Sequence, residues 1–228
     1  MKSCCIKTRA SRARHASTTL AAICVAGLMA VSGCSLLTPT AAPASSHYSL
    51  DLDAPSAAVP ATPVTPPAPS ATGTATKTLI VNPTRAAAGF DSQRIIYLRE
   101  AHKLEYFANS EWVDPPARML GALIVKAIER SGIFGAVVLS AGAAAGEVRL
   151  DTEIVRLQHE FLTSPSRVRF TLRATLVDDK TRRVLAWREF DVSVAAGSDD
   201  PYGGVLAANQ AVQGVLSNLS QFLTEKKP

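Results

Sequence analysis

A chain of 228 residues with 24 basic and 19 acidic side chains carries a formal net charge of +5 and a mean hydropathy of +0.13. The excess lies at the N-terminus, where Lys2, Lys7, Arg9, Arg12 and Arg14 meet no acid; beyond residue 33 the two signs balance. A neutral remainder of this length excludes an electrostatic footing for nucleic acid and leaves room for one ordinary core.

Residues 1–33 read as an export signal: a basic start, an apolar run from Leu20 to Val31, then small residues. The run is shorter than the roughly 20 apolar residues that span a bilayer. Val31-Ser32-Gly33-Cys34 resembles a bacterial lipobox, which makes Cys34 the lipidated first residue of the mature chain. The other three cysteines, Cys4, Cys5 and Cys24, leave with the signal, so no disulfide and no thiolate metal site is expected.

Residues 34–46 follow as a Pro/Ala/Ser/Thr tether, and 47–52 alternate as a first strand with Tyr48, Leu50 and Leu52 on one face. Residues 53–76 are rich in Pro, Ala and Thr, with no aromatic side chain, and read as a disordered linker. The globular domain is expected over 77–228. Within it, 78–81 is a buried strand stopped by Asn82-Pro83, and 94–99 with 103–108 forms a hairpin. Asp114 offers a helix N-cap with Pro115 at the first helical position, and Gly132 ends that helix. A strand at 137–139 leads to the long strand 147–161, whose apolar phase slips after Ile154 and so predicts a bulge. Residues 167–177 alternate most regularly, with Val168, Phe170, Leu172, Ala174 and Leu176 inward. Asp178-Asp179-Lys180 turns the chain into 184–194, and a helix from Pro201 buries Val205, Val212, Val215, Leu216, Leu219, Phe222 and Leu223. The predicted fold class is α+β: a mixed, mainly antiparallel sheet with two helices packed on one face.

Several short motifs occur in order along this frame: Tyr48-x-Leu50, Val81-x-Pro83, Gly89-Phe90-Asp91, Arg94-Ile95-Ile96-Tyr97, Leu104-Glu105-Tyr106-Phe107-Ala108, Trp112, Pro116-Ala117-x-Met119-Leu120, Ser131-Gly132-x-Phe134 and Leu157-x-x-Glu160-Phe161. On a lipobox precursor this set resembles the ABC-type transport auxiliary lipoproteins, the PqiC-like components of MCE-type lipid transport systems. The resemblance implies a periplasmic domain anchored in the outer membrane. There it would assist an MCE-domain protein of an ABC transporter in passing phospholipid or sterol-like molecules between membranes. The 53–76 linker is longer than that pattern implies between its first two strands.

No other constellation points to chemistry. His47, His102 and His159 fall on separate elements without a ligand partner, and no nucleophile elbow, P-loop or dinucleotide fingerprint occurs. Catalytic residues, metal ligands and cofactors are therefore all expected to be none. Asp178-Asp179 and Asp199-Asp200 read as a turn and a cap, and Gly203-Gly204 as a weak spot at a helix start. Arg167, Arg169 and Arg173 share one strand face, read as solvated, with phosphate head groups or an acidic partner as the functional option. The alternatives to a lipid-transport auxiliary are an outer-membrane assembly helper of another envelope machine and, less favoured, an enzyme. A homo-oligomer is left open. Partner binding is placed on Tyr106, Phe107 and Trp112: one hairpin ring should be core, the other outward, with Trp112 nearby.

Overall fold

The computed structural model describes residues 44–53, 77–139 and 146–226. The signal, Cys34 and all but the first residue of the 53–76 linker lie outside them. In chain order the described residues form β1 (Ser46–Tyr48), β2 (Thr78–Val81), β3 (Arg85–Ala86), β4 (Arg94–Leu98), β5 (Glu105–Trp112), α1 (Pro116–Ser131), β6 (Ala136–Leu139), β7 (Val148–Glu160), β8 (Arg167–Asp178), β9 (Val184–Ala195) and α2 (Pro201–Glu225).

Strict alternation makes β8 the best-defined strand, and its five inward residues are all buried. It pairs antiparallel with β7 on one side and β9 on the other, and these are the two longest ladders. The other edge of β7 is shared, all in parallel, by β2, β3 and β4. Outside these lie β6 beside β2, β5 antiparallel to β4, and β1 parallel to β5. The predicted slip in β7 is a register shift between Ile154 and Arg156. Both helices cover one face of this mixed sheet: α2 packs on β8 and β9, α1 on β2 and β6. The fold is α+β.

The seven-residue stripe predicted for α2 is buried throughout and joins Leu120, Ile124 and Ile128 of α1 in one core. Full burial of each such side chain contributes about 1.5–3 kcal/mol of transfer free energy. Gly132 ends α1 in the left-handed conformation, at φ 63°, which costs glycine little.

Three expectations are corrected. Asp114 does not cap α1: the N-cap is Pro115, at ψ 133°, and helical geometry starts at Pro116. A residue before proline is pushed out of the helical region, so Pro115 cannot be the first helical residue. Asp114 instead pairs with Arg118 at 3.3 Å. The first strand is Ser46–Tyr48 rather than 47–52, because side chains of α2 take the next main-chain groups. The second hairpin strand runs on to Trp112, and its pairing breaks: Arg94 faces Glu111 while Ile96 faces Tyr106. Three extra residues on β5 reverse which side points inward.

Candidate functional site

That break decides where the hairpin rings stand. Before it, Phe107 packs inward, 4.5 Å from the Tyr97 ring and in a cluster with His159 and Phe161. Tyr106 points outward and is 39 % exposed beside exposed Leu104. The Arg94 guanidinium lies 5.0 Å over the Tyr106 ring, and Gly89, Asp91 and Ser92 complete a cleft of about 210 Å³. After the break Trp112 is 3 % exposed and belongs to the core. Thus one ring is inward and one outward, as the alternation required, but Trp112 offers a partner nothing; the phase reversal buried it.

The arginines on β8 are engaged within the sheet. Arg169 binds Asp191 through Nε at 3.0 Å and Nη2 at 2.6 Å, and Thr171 donates to the same carboxylate at 2.7 Å. The Arg169 contact, helped by Thr171, holds the Asp191 carboxyl below its usual range. Arg173 bridges Glu153 at 3.2 Å and Glu189 at 3.1 Å, and Arg167 donates to Ser193. Their guanidinium groups are committed to neighbouring strands rather than held ready for phosphate. Exposed pairs of this kind contribute about 0–1 kcal/mol each.

A histidine, a serine and an aspartate meet at the opposite hairpin. The buried His159 Nε2 lies 2.8 Å from Ser166 Oγ, which donates to Asp199 Oδ1 at 2.5 Å. Since the serine hydrogen goes to Asp199, Nε2 carries the hydrogen of the His–Ser bond, and Nδ1 is left buried without a partner. A hydrolytic triad needs the imidazole to accept the serine proton and the acid to orient the imidazole. Here serine stands in the middle, 1 % exposed, so the chain cannot run that reaction. It fastens the β7–β8 turn to the start of α2. Burial pushes the His159 pKa down, and the bonds from Ser166 hold Asp199 below its usual range. Asp200 caps α2, accepting from the Gly203 N–H at 2.8 Å, and Asp178 closes the β8–β9 turn on Thr181. Both aspartate pairs have the structural roles expected of them. The two glycines at the start of α2 are more than a weak spot. A Cβ on Gly204 would sit 2.5 Å from His159 Nδ1, and one on Gly203 2.3 Å from the Ser198 carbonyl oxygen.

One arrangement had no signal in the sequence. The arm 44–53 lies along α2, where the buried Asn209 accepts from the Asp51 N–H at 2.6 Å and donates to the Ser49 carbonyl at 3.4 Å. Gln213 donates to the Leu52 carbonyl at 3.1 Å. Asp53, the first residue of the expected linker, is bound by Lys126 and by Arg130, the latter at 2.8 Å. These two contacts bring its pKa from 3.8 to about 2.

Among the described residues no helix is long and apolar enough to cross a membrane, and no three His, Cys, Asp or Glu side chains gather as a metal site. The profile of the ABC-type transport auxiliary lipoprotein component family matches residues 60–219. The chain belongs to this family. As a family member it is an auxiliary lipoprotein of ABC-type transport, a class with a membrane-anchored envelope location. Protein XCC0632 from Xanthomonas campestris, a DUF330 protein of known crystal structure, is 26 % identical, with a TM-score of 0.62 over 66 % of this lipoprotein and 85 % of that chain. A second crystal structure, of an uncharacterized protein, is 13 % identical at a TM-score of 0.55, covering 64 % of this chain and 92 % of that one, and shares the fold. No relative was found among curated proteins.

Proposed function

We propose that this auxiliary lipoprotein is held by a lipid on Cys34 at the periplasmic face of the outer membrane. There it assists an MCE-type ABC transporter in moving phospholipid or sterol-like molecules between membranes. The family match over 60–219, on a chain that begins with a lipobox signal, is the observation that carries this reading. Ser35 supports the outer-membrane address, since aspartate after the lipidated cysteine is the retention signal for the inner membrane in enteric-type sorting. The work is done by contact: side chains fill the space between the helices and the sheet, so the domain serves as a docking module rather than a cargo sleeve. The MCE-domain partner binds the outward side of the hairpin, where Tyr106 and Arg94 flank the small cleft. Aromatic and arginine side chains are enriched where interfaces gain most of their energy. Labelled fatty acid should enter the wild-type protein and not Cys34→Ala. Tyr106→Ala should keep the wild-type melting temperature but weaken capture of the MCE-domain protein. Undiminished capture by Tyr106→Ala would move the interface elsewhere.

A further inference from the structure

The arm enters the domain beside exposed apolar side chains on the first turns of α2. Tyr202 and Leu206, one turn apart on one side of the helix, are 57 % and 43 % exposed. The Tyr48 ring of β1 stands 6.4 Å from that of Tyr202. The arm is fixed there by β1 pairing, by Asn209 and Gln213, and by the Asp53 ion pairs. Four residues separate Tyr48 from Ala44, and ten more separate Ala44 from Cys34. At no more than about 3.5 Å per residue, a lipid on Cys34 is at most about 49 Å from Tyr48, where β1 pairs into the domain. With a lipid on Cys34, the docked arm therefore keeps this end of α2 within reach of the bilayer.

We propose that the Tyr202–Leu206 face of α2 is a membrane-resting surface that seats in the interfacial layer of the leaflet holding the Cys34 lipid. The inference rests on the lipoprotein reading above. A tyrosine places its ring among acyl chains and its hydroxyl among head groups, and a leucine one turn on adds apolar area at the same depth. Two side chains hold a free protein on a bilayer only weakly. A short tether makes the contact intramolecular, at an effective concentration of millimolar order, and the weak contact becomes populated. The nearby acids Asp199 and Asp200 are engaged by Ser166 and Gly203. They still bear charge, so the matching surface is rich in zwitterionic rather than anionic lipid.

The test uses the full-length lipidated protein in vesicles of phosphatidylethanolamine with a minor share of phosphatidylglycerol. In the mature chain the single cysteine is Cys34, so Leu206→Cys and Lys180→Cys can each carry one environment-sensitive dye. Position 180 lies in the exposed β8–β9 turn, away from the start of α2. The dye at 206 should shift to the blue and be quenched by nitroxide-bearing lipid, while the dye at 180 should do neither. Adding Tyr202→Ser should return the 206 dye to water-like emission without releasing the protein from vesicles. Water-like emission at both positions on protein that floats with vesicles overturns the inference. So does a blue shift at 206 that nitroxide lipid leaves unquenched, since protein would then be covering the face. Protein that fails to float defeats the anchor itself, and the inference falls with it.

Discussion

Single side chains separate core from surface sharply in this domain. Trp112 is buried in the core, and Trp112→Ala should cost about 3–5 kcal/mol, read as a fall in denaturation midpoint. The glycines of α2 give a contrast that propensity alone would miss. Glycine to alanine inside a helix is normally stabilising by about 0.5–1 kcal/mol. Gly214→Ala should follow that rule, since its Cβ would meet Val192 at 3.5 Å, an ordinary contact. Gly204→Ala should reverse it, because the new methyl would press on His159 Nδ1. Thermal melts of the two variants should therefore move in opposite directions. His159 supplies a pH signature. Its folded pKa lies below the ordinary 6.5, so the unfolded chain binds a proton that the folded one resists. Stability should be complete above about pH 6.5 and decline as pH falls toward the lowered value. His159→Gln should remove that slope in melting temperature against pH; an unchanged slope would assign it to other groups.

At the scale of elements, the arm is the part held by the fewest bonds. Its three-residue strand is a marginal ladder, and Asn209 supplies the central hydrogen bonds. Asn209→Ala leaves the Asp51 N–H without its acceptor, a loss of about 1–3 kcal/mol. Amide exchange at Asp51 should accelerate while exchange in β7 and β8 stays slow. Equal acceleration everywhere would mean that arm and core unfold as one. The same comparison explains which elements were legible. β8, the bulge in β7 and the stripe of α2 were visible because one local period decides each of them. The start of α1 was misplaced by one residue because the second proline governs the first. The β5 phase break was hidden because its extra residues are unpaired only with respect to β4, and no local period within β5 marks where that pairing slips. The course of the arm after β1 is held by Asn209 and Gln213, polar residues in a helix that sequence alone gives no reason to link to residue 50.

For the whole molecule, family was more legible than surface. The lipobox and each of the ordered family motifs are short contiguous runs, readable without knowing the fold. The proposed docking surface depends on which way a hairpin turns its rings, and there the sequence predicts one outward ring without naming it. The structure turns Tyr106 outward, buries Trp112 and shows the β8 arginines bound to neighbouring strands. On the proposed reading, these features describe a lipoprotein that holds a small docking module close to a membrane. The most direct measurement is fractionation of an envelope that expresses the full-length protein, with chemical cross-linking and capture through its C-terminus. The account predicts that Cys34-acylated protein is recovered in the outer-membrane fraction, cross-linked to an MCE-domain protein. Recovery in the inner membrane alone, or in the outer membrane with no MCE-domain protein attached, would contradict it.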